Sequence, residues 1–135
     1  MAVRYLLDTN ICIYIAKDNP QAVRERFAQH TLDELVMSVV TLGELRFGAE
    51  KSQSRDRAIA VINQLEASMC IAPLTEVVGE HYGKIRAALQ RRGELIGNND
   101  LWLAAHARAE GWVLVTNNER EFVRVDGLQV ENWAV

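Results

Sequence analysis

Four short runs, at 4–8, 35–40, 70–72 and 112–116, are apolar at nearly every position instead of at every second one. A strand with one wet face alternates apolar and polar residues, so runs of this kind need cover on both faces. The segments between them have helical rhythm, and strands that alternate with helices specify a parallel sheet clothed on two sides. Residues 11–16 form a first helix with Thr9 and Asn10 as capping residues, and Asn19-Pro20 breaks it before a short helix at 21–30. A helical rhythm starts at Thr41. In 54–68, Ala58, Val61, Ile62 and Leu65 recur at steps of three and four, the mark of an amphipathic helix. Pro73 stops the third strand, and a long helix over about 75–92 carries Val78, Tyr82, Ile85 and Leu89 on one face, with Gly93 at its end. The next helix, capped by Asn98 or Asn99, holds Leu101, Leu103, Ala104, Ala105 and Ala107 and is apolar nearly all round, as a buried helix is. Residues 128–133 read as a fifth, edge strand.

The 135 residues suffice for one domain with a real core, so a single domain over 1–135 is expected. No apolar run is long enough to cross a bilayer and a charge interrupts the N-terminal residues early, so no signal sequence is read, no membrane is expected and the cytoplasm is the expected location. Cys12 and Cys70 lie far apart in apolar runs and read as buried small hydrophobes; His30, His81 and His106 share no ligand spacing. Thiol and imidazole metal chemistry is thereby set aside.

Acids remain. Asp8 ends the first strand, Glu44 opens the helix after the second, Asp100 begins the apolar helix, and Glu121 follows the fourth strand. Ligands of open parallel sheets gather where strands run out into helices, so these four positions are expected to converge, with Asp8, Glu44 and Asp100 sharing one hydrated cation. Clustered carboxylates repel, and Mg²⁺ or Mn²⁺ is their natural counterpart. Such an ion acidifies bound water and stabilises charge on a phosphoryl oxygen. Simpler roles stand beside these: Asp8 as a helix cap, Glu44 as a solvated first-turn acid, Glu121 as plain surface.

Four blocks, in order, carry a resemblance: Leu6-Leu7-Asp8-Thr9-Asn10; 38–49, with Glu44; 96–107, with Asp100; and Val115-Thr116-Asn117-Asn118 with Glu121-Phe122. Together the chain resembles the PIN-domain family, and within it the VapC-type toxins of bacterial toxin–antitoxin pairs. The resemblance implies an α/β/α sandwich with a mainly parallel sheet of four to five strands. It also implies an endoribonuclease dependent on Mg²⁺, for which Mn²⁺ substitutes. By position Asp8, Glu44 and Asp100 match the family's best-kept acids, with Asp8 and Asp100 as direct metal ligands. Many members place Asp where this chain has Asn118, so Glu121 supplies the fourth charge. Thr9, Asn10, Thr116 and Asn118 are expected to orient acids or water through hydrogen bonds.

The resemblance further implies a homodimer, a VapB-like antitoxin bound along an apolar groove lined by 21–30 and 54–68, operator DNA reached only through that antitoxin, and an RNA substrate, by analogy initiator tRNA cut in its anticodon region. The formal charge of −3 is unhelpful to RNA binding unless cations cluster. Lys84, Arg86, Arg91 and Arg92 do cluster in sequence, with Lys84 and Arg91 on one helix face. Lys84, Arg91 and Arg120 are therefore candidate RNA contacts, with Arg124 beside them; a solvated helix surface is the alternative. Two other functions compete. A haloacid-dehalogenase-like phosphatase also ends its first strand on a nucleophilic Asp, but needs a second acid where Asn10 stands. A non-catalytic binding module of the same fold would not need its acids.

Overall fold

The computed structural model describes residues 3–135. Five strands, β1 (Tyr5–Leu7), β2 (Leu35–Ser38), β3 (Cys70–Ala72), β4 (Val113–Val115) and β5 (Val130–Glu131), form one sheet in the order β3-β2-β1-β4-β5. Every pairing is parallel, with Leu6 opposite Val36 on one side and Leu114 on the other. The helices are α1 (Thr9–Lys17), α2 (Gln21–Ala28), α3 (Val39–Glu50), α4 (Arg55–Ala67), α5 (Glu76–Arg92), α6 (Asn98–Glu110) and α7 (Glu119–Phe122).

The strands are apolar throughout because alternate residues feed two cores. Leu6, Val36 and Leu114 point into one core, with Ile85, Leu89, Leu101 and Ala105 of α5 and α6. Their neighbours Leu7, Met37 and Val115 point into the other, with Ile11, Val23, Leu65 and Trp133. Each such side chain, fully withdrawn from water, contributes about 1.5–3 kcal/mol, so a polar replacement at any of these strand positions breaks one layer of the sandwich.

Several boundaries differ from those expected, for local reasons. Asp8, and not Thr9 or Asn10, is the N-cap of α1, its Oδ1 accepting from Ile11 N at 2.9 Å; the helix therefore starts on Thr9. Ser38 caps α3 by accepting from Val40 N, so the second strand stops at Ser38 and the helix begins before Thr41. Gly97 precedes α6, and both Asn98 and Asn99 lie inside that helix. Gly93 and Gly111 close α5 and α6 at φ of 67° and 73°, where a side chain would be strained. Four-residue α7 was not anticipated, because so short a turn shows no apolar period. Cys12 is buried as read, but Cys70 is only half-buried; both are free thiols.

Strand order reverses at β1: the chain winds outward through β2 and β3, then crosses to β4 and β5. The crevice outside the carboxyl ends of β1 and β4 is thus the topological switch point, where doubly wound sheets place their ligands.

Candidate active site

Each acid reaches this crevice from a different element. Asp8 sits at the end of β1, its backbone N–H donating to Val115 O at 3.0 Å, which ties it to β4. Glu44 lies on the second turn of α3, Asp100 on the first turn of α6 and Glu121 on α7. Their convergence shows in the electrostatics. The Asp100 carboxyl is pushed up to about 6, first by burial and then by the charges of Glu121, Asp8 and Glu44, and it lies within hydrogen-bonding reach of Glu121. Burial also raises Asp8, with a further push from Glu44, against the pull of hydrogen bonds from Thr116 and from the Ile11 and Asn10 N–H groups. The other three acids are all within electrostatic reach of Asp100, and no described Lys, Arg or His forms an ion pair with any of the four.

Hydroxyls hold two of the acids in place. Thr116, fully buried, donates from Oγ1 to Asp8 Oδ2 and accepts at the same oxygen from Asn118 N at 2.9 Å. Thr9 Oγ1 donates to Glu44 Oε1 at 2.8 Å. Asn10 and Asn118 act here through backbone N–H groups, to Asp8 and Thr116 respectively. With one bond accepted at Oδ1 and one at Oδ2, each Asp8 oxygen keeps a lone pair for a further partner. The N–H of Ile11 anchors Asp8 as the reading of that acid as a helix cap implies, so Asp8 both caps α1 and faces the other acids.

Among the described residues no three acids close to common ligand distance of one ion. The expectation that Asp8, Glu44 and Asp100 jointly grip a cation is therefore narrowed to convergence on a shared crevice. Arg120, with Asn117, Asn118, Glu121 and Arg124, lines an opening of about 480 Å³ beside the acids. Lys84 and Arg91 part company. Lys84 lines a separate cavity with Arg92, whereas Arg91 is exposed and lines none of the cavities described. Arg86 is engaged locally, donating to the hydroxyl of Tyr82 at 2.7 Å.

A parallel sheet of order 3-2-1-4-5 with an oxygen-only acidic cluster at its switch point defines the class of this chain: a doubly wound α/β protein built around a carboxylate centre. Residues 5–128 match the PIN domain family. Ribonuclease VapC2 of Haemophilus influenzae is 45% identical over 131 residues, covering 97% of this chain and 98% of the relative. The tRNA(fMet)-specific endonuclease VapC of Shigella flexneri is 44% identical over 132 residues, covering 98% and 99%. The crystal structure of DNA-bound VapBC from Salmonella typhimurium contains a chain with a TM-score of 0.92 and 39% identity, covering 98% of this chain and 99% of that one. This chain belongs to the PIN-domain family, in its VapC branch.

Proposed function

We propose that the chain is a metal-dependent endoribonuclease and the toxin of a toxin–antitoxin pair, hydrolysing RNA phosphodiester bonds with water. The observation that carries this reading is the group of four converging acids with no cation partner. A raised carboxyl on Asp100 marks a site built to be completed by a positive charge. The donor set is all oxygen, which suits Mg²⁺ or Mn²⁺. Absence of a preformed three-acid cage fits an ion that keeps several of its waters and takes only one or two carboxylates.

Asp8 and Asp100 would hold the ion. When bound, it supplies charge stabilisation for the phosphoryl oxygens and an acidified water. The rest is done by the chain. Thr116 and Ile11 fix the orientation of the Asp8 carboxylate, Thr9 holds one oxygen of Glu44 and leaves the other for a water or proton, and Asp100 and Glu121 can share a proton between them. Cleavage of RNA but not of DNA with the same base sequence, by the purified chain in Mn²⁺, is the expected result. RNA left intact under those conditions would sink the reading. Initiator tRNA is the first RNA to try, and sequencing the fragment ends locates the cut.

Thr116→Val keeps the shape of the side chain and removes the donor to Asp8. It is expected to weaken Mn²⁺ binding by about 10–100-fold, read by isothermal titration, with the fold unchanged by circular dichroism. Equal affinity in the two proteins would show that Thr116 has no part in presenting Asp8.

An apolar cleft of about 600 Å³ lies beside Glu44, between α1, α3 and α4, with Ile13, Leu45, Val61, Ile62 and Leu65 in its walls. It is the proposed seat of an apolar segment of a VapB-like antitoxin, which would carry any operator DNA contact. Residues of segment 54–68 line this cleft, whereas those of 21–30 do not. Ile71, Leu74 and Val77, exposed around β3 and the start of α5, offer apolar surface for the proposed homodimer.

A further inference from the structure

On the outer side of the α5–α6 pair, a cavity of about 210 Å³ is walled by Lys84, Arg92, Arg108 and Arg124, with Ile85 and Leu89 at its floor and Asp126 at its edge. Four basic side chains against one carboxylate make a local excess of positive charge in a chain whose total is −3. Their pairing is incomplete. Arg92 meets Glu94 at 2.8 Å and Asp126 at 3.6 Å, but Lys84, Arg108 and Arg124 form no carboxylate ion pair among the described residues.

The arginines are nonetheless oriented by neutral groups. Arg124 Nη1 donates to the carbonyls of Glu94 and Leu95 at 3.2 and 3.3 Å, Arg108 Nη1 to the carbonyl of Asp126 at 3.0 Å, and Arg92 Nη2 to the carbonyl of Arg124. Arg108 Nε donates to Nδ1 of His81 at 2.9 Å, which requires that nitrogen to be unprotonated. Burial first, then the charges of Arg108 and Lys84, pull His81 down, a sign of the positive field in the cavity. Carbonyls and a neutral imidazole orient the Arg108 and Arg124 guanidinium groups without cancelling them, and that leaves N–H groups and full charge at these two for an anion. Arg124 is also the point of contact with the acid crevice, since it lines both that opening and this cavity.

The geometry points to a phosphate-binding subsite in which Lys84, Arg92, Arg108 and Arg124 grip the backbone of the RNA at a phosphate other than the one being cut. It rests on the ribonuclease reading and adds to it a grip on extended strands. It also answers the charge objection, because binding an anion needs local cations and not a basic chain. A dinucleotide engaged at the acids has only the phosphate being cut, whereas a long strand has further phosphates to offer this cavity, which adjoins the acid opening at Arg124. The subsite thus selects for length, with contacts that carry no base preference.

The test compares cleavage of a dinucleotide with that of a long single-stranded RNA by the wild-type chain and by Lys84→Gln with Arg108→Gln. The double variant is expected to lower the preference for long RNA, as the ratio of kcat/KM values, about tenfold, through KM. In EDTA, where no cutting occurs, anisotropy of labelled long RNA should show the slope of log affinity against log salt reduced by about 1 for each lost contact. Lys84→Glu alone, at an exposed position, repeats the slope change if Arg108 proves necessary for folding. An unchanged preference and an unchanged slope overturn the subsite. So does thermal protection of the wild type by inorganic pyrophosphate, lost in the variant, with long-RNA binding unaltered; that result assigns the cavity to a free phosphate. A wild-type chain that binds long RNA through these side chains in EDTA, yet cuts neither substrate once Mn²⁺ is supplied, overturns the nuclease reading and leaves the subsite standing.

Discussion

Asp100→Asn is expected to lower RNA cleavage by about a thousandfold and, in metal-free buffer at neutral pH, to raise the melting temperature. Both effects come from one cause. The carboxyl of Asp100 stands near 6 because it is half-withdrawn from water and faces the charges of Glu121, Asp8 and Glu44. Ionising it in the folded state is therefore harder than in the unfolded chain, where its ordinary value is 3.8. Between those two values the folded state binds more protons than the unfolded one. By linkage the stability due to this group is fully present below about pH 4 and is lost as pH rises through about 6. Asp8 is shifted in the same direction and adds to the slope.

An amide at position 100 removes one charge from the cluster and one proton from the linkage. The melting temperature of the metal-free wild type should thus fall from pH 4 to pH 6.5 more steeply than that of Asp100→Asn, a comparison that cancels the titrating groups outside the acid cluster. Crossing curves, with the variant more stable at neutral pH and less so in acid, are the signature. Parallel curves would mean that the four acids do not feel one another, and the proposed centre would be gone. Activity falls because an amide is a poorer ligand for a hard cation and carries no charge to set against it. A site that destabilises the resting fold is a common accompaniment of function, and here the cost is visible as a titration.

Much of this was legible in the residues. Doubly apolar strands announced the parallel sheet, because Leu6 and Leu7 can both be apolar only if both faces are covered, and the two cores divide them in that way. Asp8 and Asp100 stood out as acids at the edges of apolar elements, and the structure brings them within electrostatic reach of each other across 92 positions of chain. What stayed hidden depended on tertiary placement. Arg108 reads as an ordinary last-turn cation of α6, favoured by the helix dipole, and only the packing of the 124–126 segment against α5 turns it into a cavity wall. Lys84 and Arg91 share a face on a helical wheel, but the cavity is bounded by α5 and the segment after α7, and it takes Arg92 instead. The capping errors have a similar source. Asp, Thr and Asn in succession all suit an N-cap, and the choice of Asp8 is made by β1, which holds its backbone in extended form at ψ 173° and pairs its N–H with Val115.

Removal of divalent metal is expected to abolish cleavage, and Mn²⁺ or Mg²⁺ to restore it. The same ions should raise the melting temperature of the wild type but not of Asp8→Asn. The first half follows from the chemistry of the crevice. Its acids are poorly placed to act as a nucleophile by themselves, since hydrogen bonds from Ile11 and Thr116 draw on the charge of Asp8 and burial holds Asp100 toward its neutral form. A cation reverses that bias, because it favours the charged form of every carboxylate it faces. The second half follows from linkage: an ion that binds the folded chain at 100 times its dissociation constant adds about 2.7 kcal/mol of stability. Asp8→Asn retains the helix cap through its side-chain carbonyl, so its fold should survive while its affinity for the ion drops. Thermal protection that persists in both Asp8→Asn and Asp100→Asn would place the ion elsewhere on the chain. Cleavage that continues in excess EDTA would show that water is activated by protein groups alone, and the acids would then have to be read as a general acid–base set in which Glu44, held by Thr9, is the base.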